Sequence, residues 1–136
     1  SGTMYFIDTP RDNVTAWDYD VVTGNITNER VVIKNAGQGH MDGMTIDAEG
    51  MLWIGMFGGW SVDRYNPETG MLVERLRLPV EQVTSVAFGG EHLDDMYITS
   101  CRYLMNEQAL LEQTLAGSLL KVKTDVRGVN AYEYLG

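Results

Sequence analysis

The sequence lacks the features that cross-link a small protein or attach it to a membrane. Its single cysteine, Cys101, excludes a disulfide within the chain, and no cysteines or histidines stand at the spacing of a zinc site. No apolar run approaches the roughly 20 residues that a membrane-spanning helix needs. No basic segment followed by an apolar one marks an export signal at the start. These absences predict a cytoplasmic protein in which Cys101 is a small buried side chain rather than a reactive thiol.

Basic residues are also scarce. Ten Lys and Arg stand against 19 Asp and Glu, which gives a formal net charge of −9 at pH 7. A protein of this sign repels the phosphates of nucleic acids and the headgroups of anionic lipids. We therefore expect neither a nucleic acid nor a membrane surface among the partners.

Proline is rare, whereas glycine is common. The 136 residues include three Pro and 15 Gly, and 44% of them are apolar. This composition is typical of a globular chain rather than a disordered or fibrous one. The length predicts a single domain, residues 1–136, that is large enough to bury a sizeable core.

The chain contains a repeated β-hairpin. The segment HMDGMTIDAEGMLWIG, residues 40–55, has two short apolar strands joined by a turn. Its second strand recurs as MYFID at Met4–Asp8 and as MYITS at Met96–Ser100, and its first strand has a counterpart in TSVAFGG at Thr84–Gly90. The starts of the second strands are 48 and 44 residues apart, counted from Met4 to Leu52 to Met96. Such a period, filled with short strands, is typical of the four-stranded blades of a β-propeller.

This repeat divides the chain into three blades, at about 4–34, 42–78 and 83–135. The first blade has three strands, with no room before Met4 for the innermost one. The second has a complete set of four. The strands of these two blades are predicted at 4–7, 14–20 and 30–34, and at 44–47, 52–56, 61–65 and 72–78.

The third blade is predicted to be less regular. Its strands are expected at 83–88, 96–100 and 118–123, and the tail at Ala131–Leu135 is a candidate for a further strand. Between the second and third strands lies an insert in which Leu104, Leu111 and Leu115 recur at helical spacing behind a cap at Asn106. We expect a short helix that covers one mouth of the ring.

Successive strands of a blade run antiparallel, so an innermost strand begins on the face of the propeller where the second strand ends. A ring needs about four to eight blades, so three blades leave an open arc with an unpaired edge at Met4–Ile7. We expect a second copy or a partner half-propeller to complete it. The antiparallel rule collects seven residues on one rim: Asp8, Thr9, Asp42, Met56, Ser100, Cys101 and Arg102.

Several rim residues allow two interpretations from the sequence alone. An Asp before a Gly, as at Asp42, is ordinary in a turn, and it is also a hard oxygen ligand for a divalent cation. His40 is either solvated or a second ligand. Asp8 is either an acid near the site or an acceptor of backbone N–H groups in its own turn. Arg102 is either half of an ion pair or a contact for a substrate or anion.

Other eye-catching groups are better explained by structure. The carboxylate pairs Asp47 with Glu49, and Asp94 with Asp95, stand in predicted hairpin turns beside Gly, which favours solvated turn residues over an acid–base pair. Large aromatic side chains fill the wedge between adjacent blades, which favours packing over sugar binding for most of the following residues. They are Trp17, Trp53, Trp60 and Tyr65.

Three segments of the chain closely resemble one known family. MYFIDTPRDNVTAWDYDVVTGNITNERVV, DGMTIDAEGMLWIGMFGGWSVDRYNPETG and LPVEQVTSVAFGGEHLDDMYITS follow in order the second half of the regucalcin (senescence marker protein) and gluconolactonase family. The resemblance implies an all-β, six-bladed propeller, of which this chain is the C-terminal half. It also implies one divalent metal, calcium or zinc, in the central channel and the hydrolysis of sugar lactones.

The family resemblance implies roles for particular residues. Asp42 matches the Asp of the family's DGM motif, a metal ligand and the proposed base. Asp8, Ser100 and Arg102 are expected as rim or substrate contacts. The other protein ligands, a Glu and an Asn, and an Arg, an Asn and a Glu that help to position substrate would all lie before Ser1. The chain thus carries one metal ligand of a site that usually has three.

Two functional hypotheses follow. In the first, a homodimer or a partner half-propeller completes the ring, which binds a lactone or polyol and hydrolyses sugar lactones with a divalent metal. In the second, the chain is a non-catalytic propeller fragment that serves as a binding or interaction module.

Overall fold

The computed structural model describes residues 2–35 and 37–133. Their regular structure is almost entirely β, with ten strands, one short helix α1 (Glu107–Glu112) and a 3-10 turn at Thr9–Arg11. The strands of the first two sheets are β1 (Gly2–Asp8), β2 (Asn13–Tyr19) and β3 (Ile26–Lys34), then β4 (His40–Ile46), β5 (Leu52–Phe57), β6 (Ser61–Tyr65) and β7 (Leu72–Arg77). Those of the third sheet are β8 (Val83–Gly89), β9 (Asp95–Ser100) and β10 (Leu119–Lys123).

The strands form three antiparallel sheets in the order of propeller blades. Blade 1 is β1-β2-β3, blade 2 is β4-β5-β6-β7 and blade 3 is β8-β9-β10. The predicted all-β fold with three blades is confirmed, and within residues 2–35 blade 1 has the three strands that the sequence predicted. The predicted tail strand at 131–135 is not seen in residues 131–133, and the rest of it lies outside the described residues.

Two hydrophobic cores hold the blades together. One lies between blades 1 and 2, where Val14 and Ile33 pack with Leu52 and Ile54. The other lies between blades 2 and 3 and includes Trp53 with its neighbours. Blade 2 contributes to both cores because alternate residues of β5 point to opposite faces. Burying one large apolar side chain contributes about 1.5–3 kcal/mol to stability. Because blade 2 supplies such side chains to both cores, it is the centre of the fold.

The insert of blade 3 contains the predicted helix in a shorter form. Helix α1 begins after Asn106, whose side chain accepts a hydrogen bond from the N–H of Ala109 at 2.8 Å. The three leucines whose spacing predicted this helix do not pack into a core, because Leu104, Leu111 and Leu115 are all exposed. The insert is fastened to the rim instead by Gln113, whose Oε1 accepts from the N–H of Glu81 at 2.7 Å. No helix in the described part of the chain is long and apolar enough to cross a membrane.

Asp47 corrects the prediction that it is a solvated turn residue. Its side chain is buried, and one oxygen accepts from Nε of Arg64 at 2.8 Å and from Nε1 of Trp53 at 2.9 Å. The other oxygen accepts from the backbone N–H groups of Glu49 and Met51, which closes the β4–β5 turn. Glu49 is exposed and pairs with the same Arg64. The sequence predicted the turn at Asp47. It did not predict the ion pair, because Arg64 lies 17 residues away and no local pattern links the two residues.

Trp53 carries this network into the next blade. Its ring lies under the guanidinium of Arg64 at 5.5 Å and meets the ring of Phe88 edge-on at 6.1 Å. The predicted packing between blades is therefore confirmed for Trp53. Trp17 differs, because it lies on the outer side of blade 1, against Phe6.

We predict that Asp47→Asn lowers the free energy of unfolding by about 3–5 kcal/mol, because it removes the buried charged partner of Arg64 and leaves only the exposed Glu49. Urea denaturation measures the change. Glu49→Gln is the matched control, since it removes the exposed partner of the same arginine and should cost less than about 1 kcal/mol. Equal effects of the two substitutions would contradict the assignment of Asp47 as the main partner.

Candidate functional site

One rim of the arc forms where the inner strands β4 and β8 begin and where β5 and β9 end. His40 at the start of β4 pairs with Phe57, and Phe57 forms a bridge to Gln82 just before β8. The N–H of Cys101, after β9, donates to the carbonyl oxygen of Gln82 at 3.0 Å. The antiparallel arrangement thus brings together the rim segments that the sequence predicted.

Asp42 lies in a β-bulge on the inner strand. The pairing of β4 with β5 shifts between Met41 and Met44, so Asp42 and Gly43 have no direct partner on β5. Asp42 is half-buried, and no hydrogen bond or ion pair reaches its carboxylate from the described residues. Burial raises the pKa of Asp42 above its ordinary value. The role of this carboxylate as a metal ligand and base stays a prediction.

Gly43 allows the inner strands of blades 2 and 3 to touch. A side-chain carbon at this position would lie 2.9 Å from Cα of Ser85 on β8 and closer still to the serine side chain. Glycine is therefore required by this close approach of two backbones. The two residues thus differ in role: Asp42 carries a carboxylate, and Gly43 allows strand β8 to approach β4 closely.

Asp12 is a rim residue that the sequence reading missed. It ends the turn after β1 with a left-handed backbone, at φ 54°, and one carboxylate oxygen accepts from the N–H of Met41 at 2.9 Å. The other oxygen accepts from Asn35 at 3.1 Å and lies 3.0 Å from Nδ1 of His40. Asp12 therefore joins blade 1 to the start of β4.

The bonds to Asp12 set its protonation. Partial burial by itself raises the pKa, but the hydrogen bonds from the N–H of Met41 and from the side chains of Asn35 and His40 outweigh it. The pKa of Asp12 lies below its ordinary value as a result. The residue is thus an ionised anchor of the rim.

Two other candidate acids or ligands of the sequence analysis have partners of their own. Nδ1 of His40 lies 3.0 Å from a carboxylate oxygen of Asp12, and a role for this residue as a second ligand stays a prediction. Asp8 forms an ion pair with Nε of Arg11 at 3.2 Å within the 3-10 turn. Its backbone oxygen also accepts from the N–H of Asp12. Both residues thus have structural contacts at the rim, and their roles as a ligand or an acid stay predictions.

Ser100 and Arg102 lie on the same rim with different surroundings. The hydroxyl of Ser100 donates to the carbonyl oxygen of Ser118 at 2.9 Å and accepts from the N–H of Gly117 at 3.1 Å, which fixes the entry to β10. The exposed Arg102 lays its aliphatic stem near Gly117. Among residues 2–35 and 37–133, its guanidinium has no hydrogen bond or ion pair. Substrate contact by Asp8, Ser100 and Arg102 stays a prediction.

Blade 3 repeats the bulge that holds Asp42. The pairing of β8 with β9 shifts between Val83 and Ser85, so Thr84 occupies the position that Asp42 has on β4. Its hydroxyl lies 2.7 Å from that of Thr99. The sequence repeat TSVAFGG indicated that β8 corresponds to β4. The equivalence of Thr84 with Asp42 follows only from the positions at which the two strand pairings shift.

The described residues by themselves do not make a metal site. No group of three or more His, Cys, Asp or Glu side chains in that part of the chain converges on a point where an ion could bind. The unpaired carboxylate of Asp42 fits the role of one oxygen ligand of a hard divalent cation, and calcium takes six to eight. Further ligands have to come from outside this set.

Comparison with known proteins shows which family this chain resembles. The family described as SMP-30/Gluconolactonase/LRE-like region matches residues 1–102. The chain is 41% identical to regucalcin of Sus scrofa and 42% identical to that of Danio rerio, over 135 residues in each case. These alignments cover 98% of this chain but only 45% and 46% of the relatives, so the chain spans less than half of their length.

A solved structure supports the same relationship. The calcium-binding protein regucalcin from Agrobacterium tumefaciens superposes with a TM-score of 0.86 at 31% identity, over 93% of this chain and 43% of that one. The predicted resemblance and the propeller fold are both confirmed.

We predict that Asp12→Ala costs about 1–3 kcal/mol of stability at pH 7, because it removes several hydrogen bonds to a charged group. A carboxyl group whose pKa is lower in the folded state than in the unfolded state stabilises the fold at a pH above its unfolded-state pKa. This stabilisation is lost as the pH falls through the folded-state pKa. The gap between wild type and variant should therefore narrow below about pH 4. Urea denaturation at several pH values tests this, with the exposed Asp125→Ala as control. A gap that does not change with pH would be the contrary result.

We also predict that Gly43→Ala destabilises the fold by about 1–3 kcal/mol, because the added methyl group forces β4 and β8 apart. Gly2→Ala is the control, since a side chain there would meet nothing within 4 Å. Thermal unfolding of both variants gives the comparison. A Gly43→Ala protein as stable as wild type would show that the two inner strands do not approach as described.

Proposed function

Because this chain belongs to the SMP-30/gluconolactonase/LRE-like family, we propose that it forms part of a propeller that hydrolyses sugar lactones with the help of a divalent metal. Its own contribution is Asp42 and the surrounding rim. The remaining blades come from a second copy, which would bring a second Asp42, or from a partner half-propeller, which would bring the other metal ligands. Calcium and zinc are the candidate ions, and one solved relative is named a calcium-binding protein.

The observation that carries this proposal is the carboxylate of Asp42. Two other rim acids have partners within the chain. Asp8 pairs with Arg11, and Asp12 bonds to Met41, Asn35 and His40. Asp42 is half-buried on an inner strand and has no such partner among the described residues. Holding a carboxylate in that state costs free energy, and a bound cation would offset the cost.

The chemistry asks two things of Asp42. Asp42 would hold a divalent cation, which when bound would supply a Lewis acid for the lactone carbonyl. Asp42 would also act as the general base: it would accept a proton from the water that attacks the lactone carbonyl carbon, and that proton would pass to the ring oxygen as its bond to this carbon breaks. The carboxylate thus serves as ligand and as base, the two roles that the family resemblance implies.

The rim residues offer contacts for a sugar lactone or polyol. We assign Arg102 the direct contact, because its guanidinium is exposed at the rim and has no polar partner within the described segments. Ser100 and Asp8 act by holding the ends of β9 and β1 in place. The cytoplasm, expected from the single cysteine, stays the predicted location.

A binding or interaction module is the second candidate function. It is favoured by the absence of any three-residue ligand cluster in the described part of the chain. In that case the bulge at Asp42 is a feature that the chain shares with its family but does not use for catalysis, and the exposed faces of the blades bind another protein.

We predict that calcium or zinc stabilises the chain and that Asp42→Asn abolishes the effect. A ligand at ten times its dissociation constant stabilises the folded state by about 1.4 kcal/mol. Without metal, Asp42→Asn should be at least as stable as wild type at pH 7, because it removes a poorly solvated charge. Asp8→Asn is the control and should keep the response to metal. Thermal unfolding with each ion, or with a chelator, measures these changes.

The two candidate functions are separated by a panel of aldonolactones. Metal-dependent turnover that disappears in Asp42→Asn would support the hydrolase and exclude the non-catalytic module. If the metal changes neither stability nor turnover, or if Asp42→Asn responds as wild type does, the metal-dependent proposal fails.

A further inference from the structure

The outer strands of blades 1 and 2 enclose a cleft that the proposed function does not use. It has a volume of about 460 Å³ and lies between the end of β3 and the start of β7. One wall includes Lys34 and Gly37, and the other includes Tyr65 and Arg75, so both walls belong to this chain and lie away from its two ends. Ligand-binding pockets have volumes of about 300–1,000 Å³. The side chains around the cleft therefore indicate what it can bind.

Two glycines allow the walls of the cleft to approach each other. Gly70, in the turn before β7, has a left-handed backbone with φ 73°, and a side-chain carbon there would lie 2.9 Å from the carbonyl oxygen of Val32 on β3. A side-chain carbon at Gly37 would lie 2.8 Å from Nη2 of Arg75. Glycine at these two positions thus lets the two blades meet around the cleft.

The charged residues that line the cleft are all basic. Lys34 and Arg75 line it, and no Asp or Glu is among the described residues of its lining. Across the whole chain, in contrast, Asp and Glu outnumber Lys and Arg by 19 to 10. Burial, together with the charge of Asp63, raises the pKa of Tyr65 to about 12, so this part of the lining stays a neutral phenol. The cleft therefore presents cations on a protein whose net charge is negative.

Arg75 is held in one orientation by a buried acid. Its Nε and Nη2 donate to the two carboxylate oxygens of Asp63 at 2.8 and 2.6 Å, and Ser61 donates to the same carboxylate at 2.8 Å. The side chain of Asp63 is fully buried, whereas that of Arg75 is 26% exposed. Nη1 of Arg75 has no hydrogen bond to the described residues. A guanidinium with one edge fixed and another edge open is suited to bind an oxyanion.

Lys34 adds the net positive charge, because Asp63 already balances the charge of Arg75. Lys34 is exposed, and no hydrogen bond or ion pair reaches its ammonium group from the part of the chain that the structure describes. Met71 and Leu72 also line the cleft and are 66% and 42% exposed. The cleft thus combines two cationic groups with an aliphatic surface.

We infer that this cleft binds a small organic anion, with its carboxylate or phosphate group on Arg75 and Lys34 and its aliphatic part on Met71 and Leu72. The fixed orientation of Arg75 lowers the entropy that such a ligand loses on binding. Unlike the cation proposed at Asp42, this ligand is negatively charged and needs no metal. Its binding is measured without metal or lactone, so a failure of the hydrolase proposal leaves the result untouched.

The test is a ¹H–¹⁵N NMR titration of the metal-free protein with hexanoate, acetate and inorganic phosphate at constant ionic strength. We expect hexanoate to shift the amide signals of Gly37 and Gly70, which line the cleft, until they saturate. Acetate should bind more weakly, because it lacks the aliphatic chain that Met71 and Leu72 would cover. Phosphate identifies the head group: binding tighter than that of acetate indicates a phosphate-bearing ligand, and weaker binding indicates a carboxylate.

Two variants each remove one cationic contact. Lys34→Gln should weaken the binding of hexanoate about tenfold, because a hydrogen bond between charged groups is lost. Arg75→Lys keeps a cation beside Asp63 but removes the open edge at Nη1, and it should weaken binding to a similar extent. Arg77→Gln is the control, because it removes the same charge from an exposed residue of β7 that is not part of the described lining.

Saturable binding of hexanoate that is weakened in Lys34→Gln and Arg75→Lys, but not in Arg77→Gln, supports the site. If Arg75→Lys does not fold, Lys34→Gln decides by itself, since it changes an exposed side chain. The absence of saturable shifts with all three anions overturns the inference. Equal weakening in Arg77→Gln also overturns it, because binding would then follow the net charge of the protein and not the cleft.

Discussion

The buried carboxylate of Asp47 is the constraint on which the arrangement of the blades depends. It closes the turn between β4 and β5, and it holds Arg64 of β6 and the indole of Trp53. A buried ion pair of this kind adds little net stability compared with an apolar core, but it is costly to break. It fixes the orientation of Trp53, and Trp53 fills the wedge between blades 2 and 3.

The position of the candidate site follows from that packing. With blades 2 and 3 held together, the inner strands β4 and β8 approach until Gly43 meets Ser85. On the other side, Asp12 fastens the turn of blade 1 to the start of β4. Asp42 stands in the bulge between these two contacts, where burial raises its pKa and where no described group pairs with it. Among the described residues, the fold thus leaves the carboxylate of Asp42 without a partner, whereas the nearby Asp8 and Asp12 have structural contacts.

The sequence predicted what depends on short-range pattern. Alternating apolar residues and the recurrence of the MYFID strand gave the blades and their strands, and Asn106 marked the start of α1. It did not predict what depends on contacts between distant residues. The link from Asp47 to Arg64 and the bond from Asp12 to Met41 join positions 17 and 29 residues apart. Asp42 was identified only through the family resemblance, because an Asp before a Gly is common in turns.

The central claim is that Asp42 carries an unpaired carboxylate poised for a cation. The most direct measurement is an NMR titration of the side-chain carboxyl carbons, with Asp42 assigned through Asp42→Asn. Without metal, Asp42 should titrate at a higher pH than an ordinary aspartate, and added calcium or zinc should lower that value. An Asp42 that titrates at or below the ordinary value, and does not respond to either ion, would contradict the account.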